Sequence, residues 1–402
     1  MADISAIRLK SVSYRVYMVW NARFIFNKYT SRLFLQFMNH LLEKIALTQI
    51  EGVGPITSRA LVSYLNGIEN VFSASKKDLI QIPGIGEKTV QSILHHREAF
   101  KKAEAEAKFI QQHDIQVHFY TDKGYPFRLK SIEDSPVLLY YKGNGDLDHT
   151  RIVAIIGTRS PSDQGKSLCE KLVEDLKEYQ VLIVSGLAYG VDICAHRKSL
   201  ECHIPTIGVM GNGLDKIYPA AHQATTKRMM AQGGLLTQFI TRTNPDRENF
   251  PMRNKVVAGM SDAVVVIESG IEGGSMITAE YANHYNKDVF AIPGRPTDKQ
   301  SEGCNTLIKR NKASLIENAG DLARMMNWDK KDIHLVQSAL FHDLDHHQQQ
   351  VISLLKHNEF ISIDRLYHEL QLSPSAVAGL MLDLEFKGLI KTLPGKKYIL
   401  VM

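Results

Sequence analysis

The sequence predicts an α/β protein: a doubly wound parallel sheet with a small helical module before it and another compact module after it. Three observations predict this. Between 151 and about 320, six apolar runs alternate with helical patterns: Ile152–Ile156, Val181–Ser185, Thr206–Met210, Leu235–Thr237, Ala263–Ile267 and Val289–Ile292. Runs this continuously apolar read as strands buried on both faces, the pattern of a parallel sheet covered by helices. Gly, Ser and Thr collect where these runs end, and right-handed crossovers make the arrangement Rossmann-like. A chain of 402 residues, 44% of them hydrophobic, is globular and has room for about two to four domains.

The net charge of +5 is a mild basic excess. It permits an anionic partner, so the case for one rests on where the cations lie. The four cysteines, Cys169, Cys194, Cys202 and Cys304, form no Cys-x-x-Cys pair. Cys194, His196, Cys202 and His203 match no common zinc spacing and read as free thiols and ordinary histidines of a reducing cytosol. No metal, cofactor or catalytic residue is expected. No stretch reaches the ~20 apolar residues that span a bilayer, so a cytoplasmic protein with no membrane partner is expected.

Residues 1–37 carry Arg8, Lys10, Arg15, Arg23, Lys28 and Arg32 against Asp3 alone. Two readings fit: an organellar targeting segment, or a stretch upstream of a start at Met38, before the patterned helix of Leu41, Leu42, Ile45 and Ala46. Either way 1–37 lies outside the fold. Residues 38–108 read as a helical module with two similar turns, Ile50-Glu51-Gly52-Val53-Gly54 and Ile82-Pro83-Gly84-Ile85-Gly86, each leading into a helix. Such turns resemble the helix-hairpin-helix (SAM-like) motif, in which glycines let backbone N–H groups approach a phosphate. Phosphate binding, protein contact and a purely structural role all remain open. The charged stretch 101–108 reads as a connector.

The main domain is expected over 109–325. Ligands of doubly wound sheets bind beyond the carboxyl ends of the strands. There the chain places Gly157, Thr158 and Arg159, then Ser185 and Gly186, then Gly211-Asn212-Gly213, then Gly273, Gly274 and Ser275. Several glycine loops on one edge predict an anion-binding edge. Neither a dinucleotide Gly-x-Gly-x-x-Gly fingerprint nor a Walker lysine motif is present, which argues against a nicotinamide or ATP enzyme. Pro251 fits the first turn of a helix, which puts Phe250 on the approach loop and Arg253, Asn254 and Lys255 on the opening turns. A helix N-terminus with cations and a ring beside it suits a phosphate and a base together, although a core Phe beside solvated charges gives the same pattern. Asp192 and His196, four apart on one helix face, read as capping or packing residues rather than an acid–base pair.

Residues 326–344 read as a linker. Residues 345–402 read as three helices, Gln348–His357, Ser362–Leu370 and Ser373–Lys387, with a hairpin around Pro394-Gly395: a winged-helix module. Ser373 before Pro374 is a good helix start. The third helix carries Asp383 and Glu385 against Lys387, which suits protein contact better than base reading.

Taken in order, these motifs resemble the bacterial DNA-processing protein A family, DprA or Smf. The resemblance runs from Tyr125-Pro126 and Tyr140-Tyr141-Lys142-Gly143 through Gly157-Thr158-Arg159 and the run from Ser185 to Asp192 with Ala195-His196. It continues through Gly211-Asn212-Gly213-Leu214-Asp215 with Tyr218-Pro219, the run Asn249–Asn254, the run Gly273–Ala279 and Ile292-Pro293-Gly294, spanning about 110–312. It implies a non-enzymatic single-stranded DNA-binding protein that protects incoming strands and helps load the RecA recombinase onto them during natural transformation. It also implies a homodimer formed through the Rossmann-like domain. Arg159 is implied in the DNA pocket, with Arg247 and Phe250 as its basic-plus-aromatic pair and Arg253 and Lys255 alongside. The chain has Thr158 where the family often has Ser, and Tyr189 where small residues are common, which should narrow the pocket mouth.

The rival reading is a Rossmann-like nucleotide phosphoribohydrolase, suggested by Gly273-Gly274-Ser275 with Glu280. The Pro-Gly-Gly-x-Gly-Thr run of those enzymes is absent. A third reading is a scaffold that recruits recombinase, with incidental DNA contact of its own.

Overall fold

The computed structural model describes residues 39–328, 344–356, 361–370, 372–387, 389–393 and 397–400. The expectations for 1–37, for most of 326–344 and for the hairpin tip at Pro394-Gly395 therefore lie outside the described residues. Contacts divide the chain into two compact units, one of Met1–Glu170 with Val181–Leu315 and one of Lys171–Gln180 with Ile316–Met402.

The first unit holds a nine-stranded sheet: β1 (Gln116–Phe119), β2 (Leu138–Gly143), β3 (Ile152–Ile156), β4 (Leu182–Ser185), β5 (Thr206–Val209), β6 (Gly233–Thr237), β7 (Ala263–Val266), β8 (Asp288–Ala291) and β9 (Ser314–Leu315). The spatial order is β1-β2-β6-β5-β4-β3-β7-β8-β9. From β6 to β9 every pairing is parallel. All six expected strands form, within two residues of the bounds read from sequence. Strands β1 and β2 extend the sheet antiparallel from β6 and were not foreseen as strands.

Strands β3 to β7 are unbroken buried runs because both faces are covered. On one face Ile152, Ala154 and Ile156 pack with Val256, Val257 and Met260 of the helix Asn249–Met260 and with Ala279 of the helix Gly274–His284. On the other, Leu235 packs with Leu200 of the helix Val191–Glu201 and Met229 of the helix Gln223–Gln232. Successive strands leave β3 first towards β6 and then towards β8, so the winding reverses between β3 and β7.

The N-terminal helices form the two expected turns. Gly52 and Gly84 take left-handed φ of 81° and 79°, and Gly54 and Gly86 begin the helices Pro55–Tyr64 and Glu87–Leu94. The charged stretch 101–108 is more than a connector. It is the middle of one helix, Arg97–His113, whose buried face holds Ala99, Ala103, Glu106, Ala107 and Ile110. Ile45, Leu61, Leu79, Val90 and Ile93 of this module share a single core with Phe119, Leu138 and Tyr140 of β1 and β2.

The second unit contains the winged-helix module: helices His346–Lys356, Ile363–Leu370 and Pro374–Phe386 with a three-stranded sheet, Ile361–Ser362, Ile390–Leu393 and Lys397–Leu400. Ser373 caps its third helix as expected, its hydroxyl accepting from the Ala376 N–H at 3.3 Å. Among the described residues no helix is long and apolar enough to cross a membrane.

Candidate nucleic-acid interface

The crevice where the winding reverses is the usual ligand site of such sheets, and here it is filled. The Thr158 N–H donates to the Glu268 carbonyl at 2.7 Å, tying the β3 loop to the end of β7. The Glu268 carboxylate then accepts from the Ser162 N–H at 2.9 Å and the Ser162 hydroxyl at 2.6 Å. The open space lies one step to the side, over the ends of β3, β4 and β5. It is an open concavity lined from the β3, β4 and β5 loops.

Two guanidinium groups and three rings face this concavity. Arg159 is exposed on the β3 loop. Its guanidinium lies 5.6 Å from the centre of the Phe250 ring, within cation–π range. Phe250 is half-buried and backs onto Gly211, where an added Cβ would stand 3.1 Å from the ring. Tyr218 tilts towards Phe250 with ring centres 6.3 Å apart, and the residue is 43% exposed. Tyr189 is 51% exposed and rests edge-on against His222, so it lines the mouth instead of filling the space. Tyr189, Gly211 and Asn212 also line it, as do Tyr218 and Met210, which were not among the expected contacts. The signals for them were the Tyr-Pro pair after Gly213-Leu214-Asp215 and the glycine turn after β5.

Arg253 forms the floor. The helix that carries it begins at Asn249, two residues before Pro251, so Phe250 sits in the first turn and not on the approach loop. Arg253, in the second turn, faces inward and is 6% exposed. Its Nη1 donates to the Val209 carbonyl at 3.0 Å and lies 4.0 Å from the Asp192 carboxylate. Its Nε is buried with no hydrogen-bond partner. Burial pushes the Asp192 carboxyl above its ordinary pKa, with Arg253 and the Ala188 N–H pulling against that shift. Arg253 therefore supplies positive potential from beneath and not a solvent-facing hand.

The remaining expected residues divide between the rim and other work. Gly157 leaves room for the Val191 side chain and the Glu268 carbonyl. Ser185 is fully buried, and its hydroxyl donates to the Ile155 carbonyl at 2.6 Å, so it is not turned to a ligand. An added Cβ at Gly186 would overlap Arg253 Nη1 and Asp192 Oδ2. Arg247 is exposed on the segment leading into Phe250, outside the lining. The Asn254 amide donates to the Gly274 carbonyl at 3.4 Å. Lys255 points elsewhere, pairing with Asp134 at 2.6 Å and standing 5.3 Å from the Tyr281 ring centre. Gly273, Gly274 and Ser275 begin the helix after β7 and lie outside the concavity, with the Ser275 hydroxyl donating to Ser269 at 2.7 Å. The glycine loops thus do not form one continuous anion edge.

Asp192 and His196 are packing residues, as their spacing suggested. A carbonyl only accepts, so His196 Nε2–H donates to Gly186 O at 2.6 Å, and Nδ1 accepts from the Thr206 hydroxyl at 2.7 Å. Burial depresses the imidazole to a pKa of about 4 and keeps it neutral. Glu280 of the rival reading is exposed and pairs with Lys312 at 3.4 Å, away from the concavity.

Comparison with known proteins bears on the fold and the family. Residues 116–327 match the family model described as DNA recombination-mediator protein A, 44–97 a SAM-like helix-hairpin-helix tandem, and 340–396 the DprA winged helix domain. Protein Smf of Synechocystis is 36% identical over 273 residues, 66% of this chain and 67% of that protein. DNA processing protein DprA of Streptococcus pneumoniae is 40% identical over 201 residues, 50% of this chain and 71% of that protein. The X-ray structure of DNA processing protein A from Streptococcus pneumoniae superposes with a TM-score of 0.62 at 31% identity, covering 72% of this chain and 98% of that one. A fold, a set of flanking modules and a run of motifs that all coincide leave one conclusion: the chain belongs to the DNA recombination-mediator protein A family, the proteins called DprA or Smf.

Proposed function

We propose that this DNA-processing recombination mediator binds single-stranded DNA in the concavity over β3–β5. It would protect incoming strands and help load the RecA recombinase onto them during natural transformation, in the cytoplasm and as a homodimer. The observation that carries the reading is the pairing of exposed Arg159 with the half-buried Phe250 ring at 5.6 Å. A backbone phosphate takes the guanidinium and an unpaired base takes the ring, with Tyr218 as a second aromatic surface. Stacking contributes ~1–3 kcal/mol per base and is indifferent to base identity, and duplex bases are not free to join it. The family is one of recombination mediators, which argues against the phosphoribohydrolase alternative.

The test uses the full chain in filter binding with single- and double-stranded oligonucleotides over a salt series. A single-strand preference that weakens with salt supports the reading. Equal binding of both forms, or none, would sink it. A RecA filament-nucleation assay on the same strands then tests loading separately.

A further inference from the structure

Cys169 and Cys194 lie on the helices Asp163–Leu176 and Val191–Glu201, which follow the β3 and β4 loops. Both are free thiols. Each also reaches the other's helix. Cys169 Sγ is 4.0 Å from the Val191 carbonyl and Cys194 Sγ is 3.9 Å from the Lys166 carbonyl. Each of those carbonyls lies three residues before the opposite cysteine, so the two side chains meet at one crossing of the helices.

Their surroundings differ in a way that suits oxidation. Cys169 is fully buried, whereas Cys194 is partly exposed. The neighbouring Cys169 pulls the Cys194 thiol below its ordinary pKa, against burial and the Glu170 carboxylate at 3.8 Å, while the proximity of Cys194 and burial push Cys169 well above it. One sulfur is therefore placed to meet a soluble oxidant, and the other can meet only its neighbour. A thiol of lowered pKa that is accessible and beside a buried resolving thiol is the arrangement of a redox-sensitive pair.

We propose that Cys169 and Cys194 form a peroxide-sensitive site that closes to a reversible intramolecular disulfide. The Cys194 thiolate attacks the O–O bond of hydrogen peroxide. An S–O bond forms, the O–O bond breaks, and the departing hydroxide takes a proton to become water. The Cys169 sulfur then attacks the sulfenic sulfur. The S–S bond forms, the S–O bond breaks, and the Cys169 proton leaves with the hydroxyl as a second water. Two thiols give up two electrons and one peroxide accepts them. A small-molecule thiol reverses the bond by exchange at the Cys194 sulfur. The bond ties together the helices that follow the loops carrying Arg159 and Tyr189.

The test treats the reduced full-length protein with stoichiometric hydrogen peroxide, alkylates it in urea and maps the peptides. The expected result is a loss of two hydrogens per chain and one cross-linked peptide pair joining Cys169 to Cys194. Dithiothreitol abolishes that pair, and Cys202 and Cys304 alkylate as before treatment. In Cys169→Ser, Cys194 instead stops at a sulfenic acid that a 1,3-dione reagent traps. The proposal is overturned if Cys169 stays fully alkylatable after oxidation while Cys194 carries sulfinic acid, bridges to Cys202 or joins a second chain.

Discussion

Arg253 and Asp192 stand 4.0 Å apart beneath the concavity, in a space that exists because residue 186 has no side chain. A buried pair of this kind gains little net stability, since the loss of water offsets the attraction. Its effect is to hold positive potential at a fixed depth under the Phe250 ring, 5.8 Å from the guanidinium.

Gly186→Ala should break that arrangement. The new methyl would displace Arg253, which is nine-tenths buried and anchored to the Val209 carbonyl. A stability loss of about 1–3 kcal/mol is expected from overpacking, together with weaker single-strand binding. Urea denaturation and filter binding measure the two. A parent-like variant in both would remove the floor from the site.

Arg159→Ala and Lys255→Ala should separate cleanly, although both cations were expected at the site. Removing Arg159 should lower affinity for all sequences alike and flatten the salt slope by about 0.7, the value for one phosphate on a single strand. Lys255 is committed to Asp134, so its loss should leave the slope unchanged. The opposite ranking would move the site towards Asp134.

Phe250→Ala tests stacking against packing. A fully buried Phe costs ~3–5 kcal/mol on truncation. Phe250 is half-buried, so the expected cost is smaller, with ~1–3 kcal/mol of binding lost on unrelated oligonucleotides. Thermal melts and a panel of oligonucleotides distinguish these. A large drop in melting temperature with normal binding by the folded protein would make the ring structural.

His196 predicts an acid-sensitive fold. Above pH 6.5 the imidazole is neutral in both folded and unfolded chains and contributes no pH dependence. As pH falls, the unfolded chain takes the proton while the folded protein resists it down to about pH 4. Stability should therefore decline across that window by a total approaching ~3 kcal/mol. Urea titrations of the parent and His196→Asn at pH 7 and 4.5 would show a shallower decline in the variant. Equal declines would mean that other groups carry the effect.

What the sequence shows and what it hides follow from the range of the interactions involved. The parallel strands are legible because double burial writes an apolar run into each one. Strand β1 reads Gln116-Val117-His118-Phe119, a short stretch at the sheet edge in which polar and apolar residues alternate, and it carries no apolar run. Arg159 and Phe250 are legible because a strand end and a helix start are local features. Arg253 lies on the opening turns as read, but its inward setting depends on the Val209 carbonyl and Asp192, partners far along the chain. The partners of Lys255 and Thr158, namely Asp134 and the Glu268 carbonyl, lie more than 100 residues away along the chain. No local pattern announces them.

The core shared by the N-terminal helices and strands β1 and β2 bears on how the chain folds during synthesis. Ile45 and Leu61 find their floor on Leu138 and Tyr140, and the Glu106 carboxylate waits for the Thr241 N–H and hydroxyl, which it meets at 2.9 Å and 2.6 Å. A nascent chain that has emerged only to residue 108 has an unfinished apolar face and a carboxylate without its donors. The first helices made are thus among the last to be locked. The module and the sheet should unfold together, as one calorimetric transition in place of two.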